Sequence, residues 1–358
     1  MCCFFATPAM ADAWNVVADE GIDSSHGFNT PQQEVQSAAV FDSDLYFGTM
    51  GSPSGGQVWR YDAGSWANVT ATGFGSSANL GACSMVVYNS RLHVGTYKSS
   101  TGCEVWRYDG ITWERVAQSG FGDGSNHRAY SMWVWNSQLY VGTYNFTTGC
   151  EVWRTAGGGG VPYTDWEQVN SDGFGDDENI YVSSMLTFGT ELVAGTYNGI
   201  TGGEVWSYDG GSWTQVNTDG FGDPNNLGVY DLGVFGSRLY AGTFNESTGC
   251  EVWGSAGTGG PPYSDWEQVN ADGFGDADNQ GARPIEVVAG SEMYVSTFNS
   301  STGCEVWRTA GVGGPPFTDW VQVNSDGFGD PRNVGASAGV VSGTALYLGA
   351  ANQKGCEV

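Results

Sequence analysis

The sequence predicts an all-β fold, a seven-bladed β-propeller whose blades each contain four antiparallel strands. Three observations lead to this prediction. A tryptophan-containing phrase repeats along the chain, strand-like patterns fill each repeat, and the two ends of the chain complement each other. Together they assign residues 14–358 to one propeller domain and leave residues 1–13 as a leader or the remnant of a signal peptide.

The repeated phrase reads W-x-Q-V-N-x-D-G-F-G-D, intact in some copies and eroded in others. Its tryptophans are Trp14, Trp66, Trp113, Trp166, Trp213, Trp266 and Trp320. A second phrase, G-C-E-V-W-R, runs in phase with it, with tryptophans Trp59, Trp106, Trp153, Trp206, Trp253 and Trp307. Copies of the first phrase follow one another at 47 to 54 residues. A period of this length is typical of propeller blades.

The third repeat illustrates the four predicted strands. Ser131–Trp135 is rich in strand-forming residues, and a tight turn separates it from Leu139–Tyr144. A third strand is predicted at Cys150–Arg154 and a fourth at Trp166–Val169. Four short strands in each repeat make one antiparallel blade.

The ends of the chain predict how the ring closes. Trp14–Val17 matches a fourth strand, whereas Cys356–Val358 matches a third. The last blade therefore has three strands of its own, and we expect the N-terminal strand to supply the fourth. Such closure leaves no open sheet edge.

The repeats resemble kelch-type propeller repeats. The resemblance rests on apolar strands such as Leu139–Gly142, and on Trp106–Gly110 followed by Trp113. Gly142-Thr143 stands where kelch repeats have two glycines. The resemblance implies a propeller architecture, and kelch-like propellers are mostly binding platforms.

Charge and the N-terminal residues restrict the partners and the location. The chain has 12 Lys and Arg against 39 Asp and Glu, a net charge of −27. Such a surface repels nucleic acid and anionic membranes. Apolar residues at 2–5 followed by Ala9-Met10-Ala11 resemble the end of a secretory signal, so we expect a secreted or cell-surface protein.

Most repeated residues are expected to serve the fold. The strand tryptophans should pack between blades, because a blade needs a large side chain against its neighbour. The glutamate of the E-V-W phrase should hydrogen-bond a neighbouring loop, most simply its backbone. Cysteines at one repeat position lie on different blades, so we expect buried thiols rather than disulfides. These cysteines are Cys103, Cys150, Cys250, Cys304 and Cys356.

The D-G-F-G-D loops are the candidate metal sites. Oxygen-rich side chains around glycines suit Ca²⁺, and equally they suit tight turns held by side-chain hydrogen bonds. The sequence leaves both interpretations open and indicates no cofactor other than Ca²⁺. The candidate ligands are Asn170, Asp172, Asp176, Asn217, Asp219, Asp223, Asn270, Asp272, Asp276, Asn324, Asp326 and Asp330.

A second candidate site lies at positions where the residue type does not repeat between blades. At the predicted start of each first strand, on the face that also carries the D-G-F-G-D loops (the top face), the residue type changes from blade to blade. A binding site for one asymmetric ligand would show such a change of residue type from blade to blade. A solvated channel would tolerate the same change. The candidate ligand-binding residues at the channel mouth are Arg128, Tyr130, Tyr181, Tyr230, Asp231, Arg283 and Glu286.

Three functions are compatible with these patterns. We favour an extracytoplasmic binding module that recognises a glycan or a protein on its top face, stabilised by calcium if the loops bind it. A structural component of a surface layer or appendage is the alternative. A carbohydrate-active enzyme that uses the channel mouth ranks third, because the sequence identifies no catalytic constellation.

Overall fold

A computed structural model describes residues 14–17, 34–51, 55–352 and 358. The predicted leader and the Cys356-Glu357 pair lie outside these ranges. The described residues form short antiparallel strands in consecutive units, and the all-β prediction is confirmed. No helix in these ranges is long and apolar enough to cross a membrane.

Each of units 1 to 6 contains four strands that pair in chain order. Units 1 to 3 contain β1 (Glu34–Phe41), β2 (Asp44–Met50), β3 (Val58–Asp62), β4 (Ser65–Asn68), β5 (Gly81–Tyr88), β6 (Arg91–Tyr97), β7 (Val105–Tyr108), β8 (Trp113–Ala117), β9 (Arg128–Trp135), β10 (Gln138–Tyr144), β11 (Val152–Thr155) and β12 (Glu167–Gln168). Units 4 to 6 contain β13 (Asn179–Phe188), β14 (Glu191–Asn198), β15 (Val205–Tyr208), β16 (Trp213–Gln215), β17 (Gly228–Phe235), β18 (Arg238–Phe244), β19 (Val252–Ser255), β20 (Glu267–Gln268), β21 (Gly281–Val288), β22 (Glu292–Phe298), β23 (Val306–Thr309) and β24 (Val321–Gln322). Unit 7 contributes β25 (Asn333–Ser342) and β26 (Ala345–Asn352).

The first two strands of every unit close into a ring. Within the described residues, each second strand bridges to the first strand of the next unit through its last or next-to-last residue, as in the pair Tyr97↔Arg128. The pair Glu34↔Ala351 joins β1 to β26 and completes the circle. The fourteen strands of this ring surround a central channel, and the third and fourth strands lie outside it.

Tight turns connect the ring strands on the face opposite the bridges. Asn136 and Ser137 both adopt left-handed backbone angles, with φ of 47° and 60°. Such a turn matches the right-handed twist of the strands that it joins. Asn89-Ser90 repeats the arrangement in unit 2.

The hydrophobic core lies between units rather than at one centre. One cluster packs Trp135 and Tyr140 of unit 3 against Val182, Met185 and Leu192 of unit 4. Because each unit buries one face on the unit before it and the other on the unit after it, its strands need apolar side chains on both faces. This explains why the second strands read as continuous apolar runs.

The indole N–H groups of the fourth strands join the units in series. Trp213 Nε1 donates to the carbonyl oxygen of Val169 in the preceding unit at 3.0 Å. At the N-terminus, Trp14 Nε1 donates to Val323 O at 2.6 Å. The backbone N–H of Val17 donates to Val358 O at 3.2 Å. Residues 14–17 therefore lie beside the C-terminal residue, where the sequence predicted the missing strand.

Candidate functional site

The D-G-F-G-D loops connect each unit to the next through their phenylalanine. Phe174 adopts a left-handed backbone conformation with φ of 59°. Its ring stacks on Trp206 at 4.9 Å and meets Trp213 edge-on at 5.1 Å. The same pair of contacts is made by Phe74, Phe121, Phe221 and Phe274. The loop shape thus serves to insert an aromatic ring between two tryptophans of the following unit.

The candidate metal ligands in these loops are engaged in hydrogen bonds. Asp172 Oδ1 accepts from Gln168 Nε2 at 2.7 Å, and Asp176 Oδ2 accepts from Asn198 Nδ2 at 3.0 Å. Asn170 Oδ1 accepts from a backbone N–H of β11 at 2.7 Å. Hydrogen bonds also hold Asn217, Asp219, Asp223, Asn270, Asp272, Asp276, Asn324, Asp326 and Asp330. Asp176, Asp223, Asp276 and Asp330 accept from the backbone N–H two residues later, which is the bond that the turn interpretation requires. Asp172, Asp219, Asp272 and Asp326 instead accept from a glutamine side chain.

Metal binding at the loops would need further oxygen ligands. Across residues 14–17, 34–51, 55–352 and 358, no three His, Cys, Asp or Glu side chains lie close enough together to hold one metal ion. A Ca²⁺ site would therefore need amide and backbone oxygens beside one or two carboxylates.

In the part of the chain that the structure describes, a buried glutamate forms the centre of five junctions between units. Glu204 Oε2 accepts from Asn179 Nδ2 of the preceding loop and from Trp206 Nε1, both at 2.7 Å. The sequence predicted that the loop backbone would be the partner of this glutamate. Its Oε2 atom instead accepts from side chains, and the second N–H of Asn179 donates to the carbonyl oxygen of Gly173. The same arrangement recurs at Glu104, Glu151, Glu251 and Glu305.

The charge around this glutamate differs between junctions. Burial raises the pKa of Glu204 to about 7, and the nearby Asp219 and Asp176 add to the rise. At Glu104, burial also acts to raise the pKa, but hydrogen bonds from Lys98 and other donors outweigh it and lower the pKa. The described cysteines of the G-C-E-V-W-R phrase are buried free thiols, as expected: Cys103, Cys150, Cys250 and Cys304.

The channel mouth is the part of the ring that does not repeat. Its rim consists of the bridging residues at the top ends of the ring strands. One half carries large side chains: Tyr97, Arg128, Tyr144, Tyr181 and Tyr197. On the other half the first strands carry Gly228, Gly281 and Gly335, of which the last two bridge to Phe244 and Phe298, and Ala351 bridges to Glu34. The two sides of the mouth therefore differ in shape and in chemistry.

A β-bulge in each first strand explains why the variable residues face the channel mouth. The register of every first strand shifts near the start of the strand, and the residues left unpaired there include the one that varies between units. The variable residues are Gln36, Cys83, Tyr130, Ser183, Tyr230, Arg283 and Ser337. A bulged residue leaves the strand ladder and its side chain is redirected. The sequence showed the variation but not the bulge that causes it.

Arg283 reaches across the mouth to other units. Its Nη1 atom donates to Tyr130 Oη at 3.3 Å, and Nη2 lies 3.3 Å from Glu34 Oε1. Its guanidinium also lies over the Tyr230 ring, 5.4 Å from the centroid. One side chain of unit 6 thereby contacts units 1, 3 and 5.

Tyrosines form a stacked wall beside this arginine. Tyr130 and Tyr181 stack with ring centroids 4.8 Å apart, and Tyr181 stacks on Tyr197 at 4.9 Å. Burial raises the pKa of Tyr181 and of Tyr230 above the ordinary value, so both remain neutral hydroxyl donors at physiological pH. Flat rings that carry hydroxyl groups present both an apolar face and a polar edge to a ligand.

Two carboxyl groups lie further along the channel. Asp231 accepts from Ser184 Oγ at 2.7 Å and from the Ile285 backbone N–H at 2.8 Å. Burial raises the pKa of Glu286 to about 8, with a smaller contribution from Asp231. Glu286 is therefore mainly protonated at pH 7 and can donate a hydrogen bond.

These residues line a polar cavity of about 260 Å³. Of the seven candidate ligand-binding residues, Tyr130, Tyr230, Asp231, Arg283 and Glu286 line it directly. Arg128 and Tyr181 both contact the Tyr130 ring from outside the cavity lining. The structure thus brings the seven residues into one neighbourhood.

Sequence reasoning missed other residues at this site. Gln36, Cys83 and Ser184 also line the cavity, and Tyr97 and Tyr144 flank Arg128. Gln36 and Cys83 belonged to the variable row and could have been selected with Tyr130. The tyrosines that end the second strands recur in the sequence, so their repetition concealed them.

Comparisons with known proteins identify the fold. A chain in a crystal structure of the mitotic checkpoint complex is 15% identical, over 95% of this chain and 91% of that chain, with a TM-score of 0.59. A GH74 enzyme from Niastella koreensis is 15% identical over 82% of this chain and 45% of its own, with a TM-score of 0.55. A prolyl endopeptidase is 12% identical over 93% of this chain and 51% of its own, with a TM-score of 0.56. The chain thus spans about half the length of these two enzymes.

These similarities show a β-propeller fold and, at such identities, nothing more specific. No protein-family model matches the chain, and no curated protein matches its sequence. The kelch-like resemblance therefore stays a prediction.

Proposed function

We propose that this chain is an extracytoplasmic binding module that recognises a glycan at the channel mouth on its top face. The supporting observation is the concentration of non-repeated polar and aromatic residues at one cavity in a molecule that otherwise repeats. Arg283 makes three contacts to other units there, and no other unit has an arginine at this position. Because a ring of repeats forms without such contacts, a ligand explains them better than the fold does.

The chemistry of the cavity suits sugar hydroxyl groups. Tyr130 and Tyr230 line the cavity with aromatic rings and hydroxyl groups. Asp231 accepts hydrogen bonds, whereas neutral Glu286 donates them. A protein side chain is the alternative ligand, and a structural role in a surface layer would leave the cavity without a ligand.

Binding can be tested with a glycan array followed by calorimetry on each hit. We expect Tyr130→Ala to weaken the binding of a hit by about tenfold or more, since an aromatic contact and a hydroxyl are lost. Phe146→Ala is the matched control, because this exposed ring (57% accessible) lies in a loop outside the cavity lining. Equal losses in both variants, or no hit on the array, would refute binding at the mouth.

One observation favours catalysis as a second candidate function. Asp231 and Glu286 are neighbouring carboxyl groups, and burial raises both pKa values. A protonated carboxylic acid beside a second carboxyl group is what glycoside cleavage requires. If the chain is a carbohydrate-active enzyme, Glu286→Gln should bind the array hit normally and lose at least about 100-fold in cleavage rate. Absence of cleavage by the unmodified protein would eliminate this candidate.

We further propose that the propeller has seven blades, the last completed by residues 14–17. In support, Trp14 donates to Val323 O and meets Phe328 edge-on at 5.3 Å, the contacts that Trp213 makes to the preceding unit. Trp14→Ala and Trp213→Ala should each lower the free energy of unfolding by about 3 kcal/mol. A Trp14→Ala protein as stable as the parent would contradict this closure.

Calcium binding by the D-G-F-G-D loops remains part of the proposal. In support, the loops place carboxylate, amide and backbone oxygens around glycines, which is a donor set that suits Ca²⁺. Thermal unfolding with about 2 mM Ca²⁺ and then with excess EDTA tests calcium binding. This concentration is about the dissociation constant of extracellular calcium sites. A higher Tm with Ca²⁺ supports metal sites, and an unchanged Tm assigns the loops to turn formation alone.

A further inference from the structure

Arg128 lies in a cage of tyrosines at the rim of the mouth. Its guanidinium carbon is 4.3 Å from the ring centroid of Tyr97, 5.8 Å from that of Tyr130 and 6.0 Å from that of Tyr144. The strand register causes this, because Arg128 bridges to Tyr97 in the preceding unit and to Tyr144 in its own. The rings fix the plane of the guanidinium without consuming its N–H groups.

Among the residues that the structure describes, none accepts a hydrogen bond from the Arg128 side chain. Within residues 34–51 and 55–352, its buried Nε atom has no hydrogen-bond partner, and no ion pair involves the side chain. The acidic group that shares the rim, Glu34, is paired with Arg283 at 3.3 Å. A partly buried cation without an acceptor is costly, so an oxyanion that enters the mouth would be stabilised there.

The fold does not need an arginine at this position. The residues in the same register of the other units are Glu34, Gly81, Tyr181, Gly228, Gly281 and Gly335. The ring bridges form equally well with glycine, because they use backbone atoms only. Arg128 is also one of only 12 Lys and Arg residues in a chain of net charge −27. Its presence against Tyr130, which lines the cavity, therefore calls for a functional explanation.

We infer that the ligand bound at the mouth is a glycan end that carries a carboxylate, a uronic acid, and that Arg128 binds this carboxylate. The inference rests on the proposed function. The planar guanidinium matches a carboxylate through two parallel N–H···O bonds. The net negative charge repels polyanions, so a ligand with a single carboxylate is favoured. The cavity of about 260 Å³ suits one sugar ring rather than a long chain.

The test uses three pairs of sugars that differ only at C6. Calorimetry on the full-length protein compares glucuronic, galacturonic and mannuronic acids with glucose, galactose and mannose. We expect at least one acid to bind about tenfold or more tightly than its neutral partner, and more weakly as salt increases. Arg128→Gln should remove this preference, so that the acid binds no more tightly than its neutral partner. Arg128→Lys should restore part of it, since the charge returns without the planar fork.

Arg91→Gln is the matched control. Arg91 begins β6, at the end of the ring opposite the mouth, and pairs with Asp109 at 3.2 Å. This variant makes the same change of net charge and should retain the full preference for the acid. Thermal unfolding of both variants verifies that they are folded.

The outcomes separate this inference from the proposed function. If neutral sugars bind as tightly as the acids and Tyr130→Ala abolishes the binding, the mouth is a glycan site but the carboxylate inference is wrong. If an acid is preferred and Arg128→Gln keeps the preference, another cation is responsible and the inference is also wrong. If none of the six sugars binds, the carboxylate inference is wrong, and the glycan array separately decides whether the mouth recognises another glycan.

Discussion

The junctions centred on Glu104 and Glu204 share one hydrogen-bond geometry but have opposite charge balances. In both, the glutamate accepts from an asparagine of the preceding loop and from the tryptophan two residues later. Glu104 has a further oxygen bound by Lys98 Nζ at 2.9 Å and Arg115 Nη1 at 3.0 Å. Glu204 instead has two aspartates nearby, which raise its pKa.

Four positions differ together between the two junctions. Where the Glu104 junction has Lys98, Arg115, Ser76 and Ser119, the Glu204 junction has Asn198, Gln215, Asp176 and Asp219. Two cations thus occur with two serines, and two amides occur with two aspartates. The difference shows that the asparagine and the tryptophan fix the hydrogen-bond geometry of a junction. Nearby cations balance the negative charge of the glutamate in the first junction but not in the second.

The largest expected effect comes from removing the shared asparagine. Asn179→Ala should lower the free energy of unfolding by about 3 kcal/mol, because a buried carboxyl group and the carbonyl of Gly173 both lose a donor. Asn79→Ala should cost about 2 kcal/mol, because Lys98 and Arg115 still bind Glu104. Urea unfolding monitored by tryptophan fluorescence measures both. Equal costs would mean that the extra cations do not support the junction.

Removing the cation should have the next largest effect. Lys98→Met leaves Glu104 buried with a weaker counter-charge and should cost about 2 kcal/mol at pH 8. Arg91→Met breaks the more exposed pair with Asp109 and should cost less than about 1 kcal/mol. Urea unfolding at pH 8 compares the two variants. A Lys98→Met protein no less stable than Arg91→Met would show that Arg115 alone balances Glu104.

The repeating part of the fold could be predicted from the sequence because short-range sequence patterns determine it. Tryptophans at a constant phase, strand-forming runs and tight turns are set by short-range patterns, and β9 to β12 overlap the four strands predicted for the third repeat. Residues 14–17, which were predicted to be a strand, lie beside Val358 but do not form a regular strand. The junction glutamate was correctly assigned to the fold. Its partners were not, because they depend on how one unit packs on the next.

The residues of the channel mouth could be predicted from the sequence only in part. Failure of the repeat selected Arg128, Tyr130 and Arg283 correctly as neighbours. The bulges that redirect the variable residues are backbone features with no residue preference in this chain, since their unpaired positions hold residues as different as Cys83 and Arg283. The cage around Arg128 combines one variable residue with tyrosines that repeat between units. Variation between units therefore indicated only part of the cage.

The smallest expected effects come from neutralising each glutamate, and they should have opposite signs. Glu204→Gln keeps an acceptor for Asn179 and Trp206, as the chain itself does with Gln57, whose Oε1 accepts from Trp59 Nε1 at 2.9 Å. The change should stabilise the protein at pH 8 by about 1 kcal/mol, because the folded state no longer carries a buried charge beside two aspartates. Glu104→Gln should destabilise it at the same pH by about 1 kcal/mol, because Lys98 and Arg115 lose their counter-charge.

The pH dependence distinguishes these effects from simple changes of packing. The pKa of Glu204 rises from 4.5 to about 7 on folding, so its contribution to stability is full below pH 4.5 and is lost as the pH rises through 7. The advantage of Glu204→Gln should therefore grow from pH 4.5 to pH 7 and then level off. The pKa of Glu104 is lowered, so its contribution is present above pH 4.5 and lost as the pH falls further. The penalty of Glu104→Gln should shrink at acid pH. Parallel pH profiles for the two variants would mean that local charge does not distinguish the junctions, and that their shared hydrogen bonds alone determine stability.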